Sequence, residues 1–410
     1  MTHIHHNPPF RAEHLGSLLR PKELLQKRAL VEKNELSQAE CTKAEDEAVN
    51  KVVKVQVASG FGAVSDGEYR RAVFWGTFFE ELEGMTEIRN PPMDLFRSYV
   101  PDIAGFIEKG HKPGQSCICT GKIRHKGKST LIGQFEYLKT LIPEERWGEI
   151  RLTMIAPPWY HLRYKNGLAF PPEVYASDEE YLADISKAAS EELDILYAAG
   201  VRSIQFDNPN FAYFCSEKML AGWAKDKSNK KTPDELLDAY IQCYNDSTAQ
   251  HSEKMHIGLH ICGGNFMGSR HFSEGGYDRI AIKLFQKLNV LTPFRYLLPG
   301  IRHAPPGAGG FEPFCSTPPQ PHKNVILGVI TSKFPELEDK EKMKERILAG
   351  ADVIAKGASQ TREQALQRMG VSPQCGFASH EEGNLLGWED MKNKLALVRA
   401  IADDVWSGEP

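Results

Sequence analysis

Two side chains in the second half of the chain have the type and spacing of metal ligands. His260 and Cys262 are two positions apart in an apolar run, and residues i and i+2 of a β-strand point to the same face. A third soft ligand is available in Cys375, which Pro373 and Gly376 place in a tight turn. Two thiolates and one imidazole select Zn²⁺ over hard cations. The sequence therefore predicts a zinc site formed by His260, Cys262 and Cys375.

The alternative interpretation is that these residues only pack, because a buried cysteine beside a histidine is more often core than ligand. Cys117 and Cys119 have the same spacing but no histidine partner, so they are predicted to be core or surface thiols. The histidines of the N-terminal tract, His3, His5 and His6, are predicted to be disordered rather than metal-binding. No metal spacing surrounds the remaining cysteines, Cys41, Cys215, Cys243 and Cys315.

A second set of reactive residues lies where strand-like runs end. The set consists of Ser17, Asp66, Glu68, Asp207, His260 and Cys262. Each acidic residue by itself could be an ordinary helix N-cap. Because the carboxyl ends of parallel strands converge on one mouth of a barrel, the six positions together favour a site.

The elements that must position these residues alternate between strands and helices. Capping boxes predict helix starts at the pairs Ser37 and Glu40, Ser177 and Glu180, Thr232 and Glu235, and Thr361 and Gln364. The predicted helices include residues 38–59, 178–199 and 233–252. The predicted strands are 14–17, 63–68, 151–156, 201–207, 256–262 and 325–331, with weaker ones at 116–122 and 291–298.

Eight strand-helix units predict an α/β fold of the (β/α)8 TIM barrel type. An open doubly wound sheet is the alternative, but no GxGxxG motif follows the first strand. Residues 1–9 are predicted to be a disordered N-terminus and residues 10–406 a single domain. Within that domain the segment 299–323, rich in proline and glycine, is predicted to be an irregular insert.

Composition restricts the function classes. With 41% hydrophobic and 25% charged residues, the 410-residue chain can bury a substantial core. Its formal charge of -4 provides no attraction to nucleic acid or an anionic membrane. No apolar stretch reaches the ~20 residues that cross a bilayer, and the N-terminus is unlike a secretory signal. We therefore predict a cytoplasmic protein with small-molecule partners, and the sequence leaves a homo-oligomer open.

Five motifs, in this order, resemble the zinc-bearing catalytic barrel of cobalamin-independent methionine synthase. They are Leu15-Gly16-Ser17, Asp66-Gly67-Glu68, the QFDNP run at 205–209, His260-Ile261-Cys262 and the SPQCG run at 372–376. The resemblance extends from about residue 10 to residue 406. It is closer to the short single-barrel relatives of that enzyme, which include epoxyalkane:coenzyme M transferases.

The resemblance implies a cofactor and a reaction. Positions matching His260, Cys262 and Cys375 hold zinc in that family, and the family methylates the thiol of homocysteine from a methyl-folate or related donor. Coordination to Zn²⁺ converts a thiol into a thiolate at neutral pH, which supplies the nucleophile.

The resemblance also implies residues that bind the substrate. Ser17 lies where the family binds the carboxylate of the amino-acid thiol, and Glu68 and Asp207 lie where it binds the ammonium group. Glu68, Asp207 and Lys333 are the predicted catalytic residues. Trp159, which follows the fourth predicted strand, is predicted to form an apolar or stacking wall at the mouth, the alternative being that it only covers the barrel.

The sequence departs from the family at two places. Leu298 occupies the position expected for a carboxylate zinc ligand, so Glu312, His303 or a water would have to complete the tetrahedron. Lys333 occupies the region where the full-length enzymes have a histidine general acid. A lysine there can neutralise an anion or donate a proton, and a surface cation is the equally weighted alternative.

Three other functions remain open on the sequence. The first is thiol addition to an epoxide or a C–S bond step in specialised metabolism. The second is a degenerate, non-catalytic zinc-binding barrel. The third is the reaction of uroporphyrinogen decarboxylase, whose family is structurally related. That family uses no metal, so this function would leave the His-Cys-Cys set unexplained.

Overall fold

The structure, a computed structural model, describes residues 10–112, 114–265, 268–289, 294–297, 311–316 and 323–409. The predicted disorder of residues 1–9 lies outside these ranges. So does most of the predicted insert 299–323, as do Leu298 and His303. The described part of that insert includes a single 3-10 turn, Glu312–Ser316.

The first two strands form a two-stranded antiparallel sheet apart from the main sheet. β1 (Leu82–Arg89) pairs antiparallel with β2 (Gln115–His125). The predicted strand at 116–122 is thus confirmed as a strand, but its place among the parallel barrel strands is wrong. The pairing includes a bulge at Gly84, which requires glycine because its φ is 76° and a Cβ there would clash with the Lys122 carbonyl.

Six parallel strands form the main sheet, and their spatial order follows the chain. They are β3 (Arg151–Ile155), β4 (Ser203–Asp207), β5 (His256–His260), β6 (Phe294–Leu297), β7 (Val325–Ile330) and β8 (Met369–Pro373). Runs such as β7 are apolar and buried throughout, as expected for strands covered on both faces. The register pairs Ile155 with Asp207 and Asp207 with His260, so these strands end at one level.

Each edge of this sheet is extended by an isolated parallel bridge. Ala12 pairs with Val371 of β8, and Val64 pairs with Ile150 next to β3. The two flanking segments also contact each other, because the Leu18 amide donates to the Gly67 carbonyl at 3.1 Å. The predicted strand at 63–68 is thus reduced to a bridge at Val64. The predicted strand at 14–17 is wrong, because the bridge at that edge lies before it, at Ala12, and residues 14–17 are in neither a strand nor a bridge.

In the described ranges, α-helices lie before, between and after the strands, except between β6 and β7, where the described residues form only the 3-10 turn. They are α1 (Lys22–Glu32), α2 (Gln38–Ala58), α3 (Pro101–Lys109), α4 (Leu131–Lys139), α5 (Trp159–Arg163), α6 (Asp178–Ala198), α7 (Pro209–Tyr213), α8 (Glu217–Lys225), α9 (Pro233–Thr248), α10 (Asp278–Lys287), α11 (Lys340–Ala358), α12 (Arg362–Leu366) and α13 (Trp388–Val405). Within the described ranges, none of these helices is long and apolar enough to span a membrane.

The predicted helix starts are confirmed at their caps. Complete capping boxes begin α2, α9 and α12, in which the N-cap side chain and the residue three positions later bond each other's backbone amides. At α6 the Ser177 side chain accepts from the Glu180 amide. These local signals are strong because they satisfy amides that the helix itself leaves without partners.

Candidate metal centre

The three predicted metal ligands converge in space although they lie up to 115 residues apart. His260 is the last residue of β5, Cys262 follows it by two positions, and Cys375 follows β8 by two positions. Their ligand atoms all lie within 4.8 Å of one another, and all three residues are buried. Cys375 Sγ is 3.5 Å from Cys262 Sγ and 3.6 Å from His260 Nε2.

These separations fit a tetrahedral zinc ion. Zn–S bonds of about 2.3 Å and Zn–N bonds of about 2.05 Å place two sulfurs about 3.8 Å apart, and sulfur and nitrogen about 3.6 Å apart. The observed distances are close to both values. Within the described residues no fourth His, Cys, Asp or Glu joins the group, and Glu312 is exposed at the start of its 3-10 turn. Three protein ligands with an exchangeable fourth position are the arrangement of catalytic zinc sites.

The hydrogen bond between the two thiols shifts their pKa values in opposite directions. A hydrogen bond from Cys262 lowers the pKa of Cys375 well below its usual value. The same bond, together with burial, raises the pKa of Cys262. The pair therefore holds a proton that a bound cation would displace, because a metal ion binds the thiolate and not the thiol.

Asp207 lies beside the imidazole of this group. Its Oδ1 atom is 4.0 Å from His260 Nε2, and the side chain is partly exposed at the end of β4. Burial raises the pKa of Asp207 to about 7. Asp207 thus places a partly exposed carboxyl next to the predicted metal ligands, and its contact with a substrate stays a prediction.

Glu68 presents a half-satisfied carboxylate at the β3 edge of the sheet. Its backbone has a φ of 63°, and the Asp66 side chain fixes this turn by accepting from the Glu68 amide. Oε1 bonds Arg71 at 2.7 Å and Thr153 at 3.0 Å. Oε2 is buried and has no hydrogen-bond partner among the described residues. Such an atom is costly to leave unpaired, which points to a ligand or water. Asp66, by contrast, accepts from the Glu68 amide and so caps a turn, which is a structural role and not a contact with a ligand.

Ser17 packs directly against the turn that carries Cys375. The Phe377 amide donates to the Ser17 carbonyl at 2.8 Å. A Cβ at Gly376 would overlap Ser17 Oγ, so this close approach is possible only with glycine. The Ser17 hydroxyl, predicted to bind a carboxylate, therefore lies against Gly376, the residue that follows the predicted metal ligand Cys375.

Gly376→Ala is expected to displace either Ser17 or the Cys375 turn and to weaken zinc or homocysteine affinity about 10-fold or more. Titration of the purified variant with zinc and with homocysteine measures both quantities. Gly133→Ala is the matched control, since no atom lies within 4 Å of a Cβ at that helical position. Unchanged affinities in Gly376→Ala would contradict the proximity of Ser17 to the site.

Lys333 is buried, and its ammonium is fully occupied by one loop. Nζ donates to the Gly264 carbonyl at 3.3 Å, the Asn265 side-chain oxygen at 2.8 Å and the Arg270 carbonyl at 3.0 Å. Burial lowers the pKa of Lys333 to about 8. Because an ammonium has only three donors, these contacts favour a structural role over proton donation to a substrate.

Trp159 is buried in an aromatic cluster at the start of α5. Its ring stacks on Trp75 at 5.7 Å, meets Phe74 edge-on at 5.3 Å and lies 4.9 Å from the Arg163 guanidinium. This packing matches the covering role of an aromatic residue. A substrate contact by Trp159 stays a prediction.

Asn265 belongs to this region, and the sequence motifs do not predict it. It donates to the Gly376 carbonyl and to Ser379 Oγ, at 2.9 and 3.0 Å, and so connects the two cysteine loops. The signal that could have indicated it is the pair of glycines between Cys262 and Asn265, which is typical of a tight loop.

The chain resembles two Bacillus subtilis (strain 168) proteins over nearly its whole length. It is 30% identical to the uncharacterized protein YxjG over 400 residues, 97% of this chain and 95% of YxjG. It is 30% identical to the uncharacterized protein YxjH over 401 residues, with the same coverage. No family model matches the chain.

More distant similarities are to proteins named as methionine synthases or homocysteine methyltransferases. A 5-methyltetrahydropteroyltriglutamate–homocysteine methyltransferase of Thermotoga petrophila is 22% identical over 204 residues, 50% of this chain and 24% of that protein. A Listeria monocytogenes structure, solved for a proposed vitamin-B12-independent methionine synthase, matches with a TM-score of 0.69, 25% identity and coverage of 98% and 99%.

A second solved structure shares the fold. The B12-independent methionine synthase of Shewanella sp. W3-18-1, in complex with selenomethionine, matches with a TM-score of 0.64, 20% identity and coverage of 97% of each chain. With 30% identity across nearly the full length of both bacterial relatives, and a methionine-synthase-like α/β fold, the chain belongs to the family of YxjG and YxjH.

Proposed function

We propose that the chain is a zinc-dependent enzyme that transfers a methyl or alkyl group to a thiol, with homocysteine as the first candidate. The observation that carries this proposal is the buried group of His260, Cys262 and Cys375, with the Asp207 carboxyl 4.0 Å from the imidazole. The buried Oε2 of Glu68, which has no hydrogen-bond partner among the described residues, supports it. The methionine synthases among the structural neighbours support the same reaction class. We place the activity in the cytoplasm, and the number of subunits is left open.

We also infer that the main sheet closes into a (β/α)8 barrel within a single domain. Two isolated bridges add the segments around Ala12 and Val64 to the six parallel strands, one at each edge. The contact of Leu18 with Gly67 then connects the two added segments. Closure of this kind would bring Glu68, Asp207, His260 and Cys375 to one mouth.

A bound zinc ion would lower the pKa of a coordinated substrate thiol, so that the thiol is held as a thiolate. The protein residues would position that substrate. The free Oε2 of Glu68 and the carboxyl of Asp207 would hold the ammonium group, and Ser17 would donate its hydroxyl to the carboxylate. Fixing both ends of the amino acid orients the sulfur toward the alkyl donor.

An assay of thiol alkylation tests the proposal. Zinc-loaded protein is incubated with homocysteine and, in separate reactions, with 5-methyltetrahydrofolate, its triglutamate and epoxypropane. Methionine formed by the unmodified chain and not by Cys262→Ser supports methyl transfer. Consumption of epoxypropane alone would replace homocysteine methylation with thiol addition to an epoxide. No product with any donor, from protein that contains zinc, would contradict the enzymatic proposal.

A further inference from the structure

Two loops carry the predicted sulfur ligands, and they belong to strands that are not neighbours. Cys262 follows β5 and Cys375 follows β8, with β6 and β7 between them in the sheet. The strand register therefore does not fix the separation of the two sulfur atoms directly. Something beyond the sheet must hold the two loops at the 3.5 Å separation of their sulfurs.

Asn265 makes the contact between these loops that lies nearest in sequence to the two cysteines, and a second contact, from the Leu385 amide to Ser269 Oγ at 2.8 Å, lies farther along both loops. Its side-chain Nδ2 donates to the Gly376 carbonyl at 2.9 Å, one residue after Cys375, while Asn265 itself is three residues after Cys262. The same Nδ2 donates to Ser379 Oγ at 3.0 Å, farther along the Cys375 loop. Asn265 is buried, so water does not compete for these bonds.

Lys333 fixes the orientation of that amide. Its Nζ lies 2.8 Å from Asn265 Oδ1, and an ammonium can only donate. The amide oxygen must therefore face Lys333, which leaves the NH₂ group facing Gly376. Lys333 in turn is tied to the same loop by Gly264 and Arg270, and its own carbonyl accepts from Ser269 Oγ at 2.6 Å.

We propose that Asn265, oriented by Lys333, is a positioning residue that sets the spacing of the Cys262 and Cys375 loops and thereby the metal affinity of the site. This inference rests on the proposed function. It assigns Lys333 to positioning, in place of the catalytic role, neutralising an anion or donating a proton, that the sequence analysis considers for it alongside a surface cation. Residues that orient metal ligands in this way typically change metal affinity 10- to 100-fold when they are replaced.

The test measures zinc affinity by competition with a chromogenic chelator, in the full chain, for Asn265→Ala and a matched control. Asn245→Ala is the control because Asn245 also connects two segments, donating to the Lys287 carbonyl and accepting from the Asn289 amide, both at 2.8 Å. We expect affinity to fall at least about 10-fold in Asn265→Ala and to change less than about 2-fold in Asn245→Ala. Cobalt substitution adds a second readout, since the visible spectrum of tetrahedral Co²⁺ should change only in Asn265→Ala.

Lys333→Met keeps the test decisive if Asn265→Ala does not fold. Removing a positive charge beside the site would by itself strengthen cation binding, so weaker binding by a variant that keeps the circular dichroism spectrum of the unmodified chain indicates lost positioning. When Asn265→Ala and Lys333→Met are combined in one chain, their effects on zinc affinity should be less than additive, because both act through the Asn265 amide. Equal affinities in Asn265→Ala and Asn245→Ala, or tighter binding by Lys333→Met alone, would overturn the proposal. Absence of metal binding by the unmodified chain would overturn the proposed function itself, and this inference with it.

Discussion

Glu68→Gln is expected to lower homocysteine affinity about 100-fold, because an ammonium bound to a buried carboxylate contributes about 3 kcal/mol. The free Oε2 atom is the one that the substrate would use, while Oε1 stays bonded to Thr153 and Arg71. Calorimetric titration of the zinc-loaded protein measures the loss.

The control for this substitution is 4-mercaptobutyrate, which keeps the thiol, carboxylate and chain length of homocysteine and lacks the amine. Its affinity should be nearly the same in the unmodified chain and in Glu68→Gln. If both thiols weaken equally, the substitution has damaged the site in general. If neither weakens, Glu68 does not bind the ammonium, and a non-amino-acid thiol becomes the better substrate.

Glu13→Gln is expected to destabilise the fold by about 3 to 5 kcal/mol. Glu13 and Arg151 form a two-bond ion pair at 2.9 and 3.0 Å, and both side chains are buried. Removing the negative charge leaves the Arg151 guanidinium uncompensated inside the protein, which costs far more than an exposed pair contributes. Urea denaturation followed by circular dichroism measures the change.

The matched control is Asp352→Asn. Asp352 forms a two-bond pair of similar geometry with Arg362, at 2.6 and 2.7 Å, but about half of each side chain is exposed. Its replacement should cost less than about 1 kcal/mol. Equal effects for the two substitutions would mean that burial does not govern the strength of the Glu13 pair.

Strands buried on both faces could be predicted from the sequence, and short or irregular ones could not. The apolar run of β7 is a clear strand signal, whereas β8 has only five residues, including a glycine and a proline. The sequence analysis predicts eight parallel strands because it counts residues 116–122, which pair antiparallel in β2, and omits β8. A strand-like pattern does not tell whether its partner is parallel or antiparallel, since pairing depends on distant segments.

In the candidate site, too, some residues could be predicted from the sequence and others could not. His260, Cys262 and Cys375 could be predicted because few residue types bind zinc, and the structure brings their ligand atoms together. The contacts of Lys333 and Asn265 could not, because a lysine or an asparagine has many roles and only the fold decides which acceptors lie within reach. Trp159 shows this also, since its position after β3 suits a substrate wall and its neighbours form a packed cluster.

Elemental analysis of zinc in the purified chain tests the central claim most directly, with Cys375→Ser and Cys243→Ser measured alongside. Cys243 is the control because it is a buried thiol outside the metal group, hydrogen-bonded to the Leu182 carbonyl. We expect about one zinc per chain in the unmodified protein and in Cys243→Ser, and less than about 0.1 in Cys375→Ser. Less than about 0.1 zinc in the unmodified protein, after purification without chelators, would contradict the zinc centre and the function built on it.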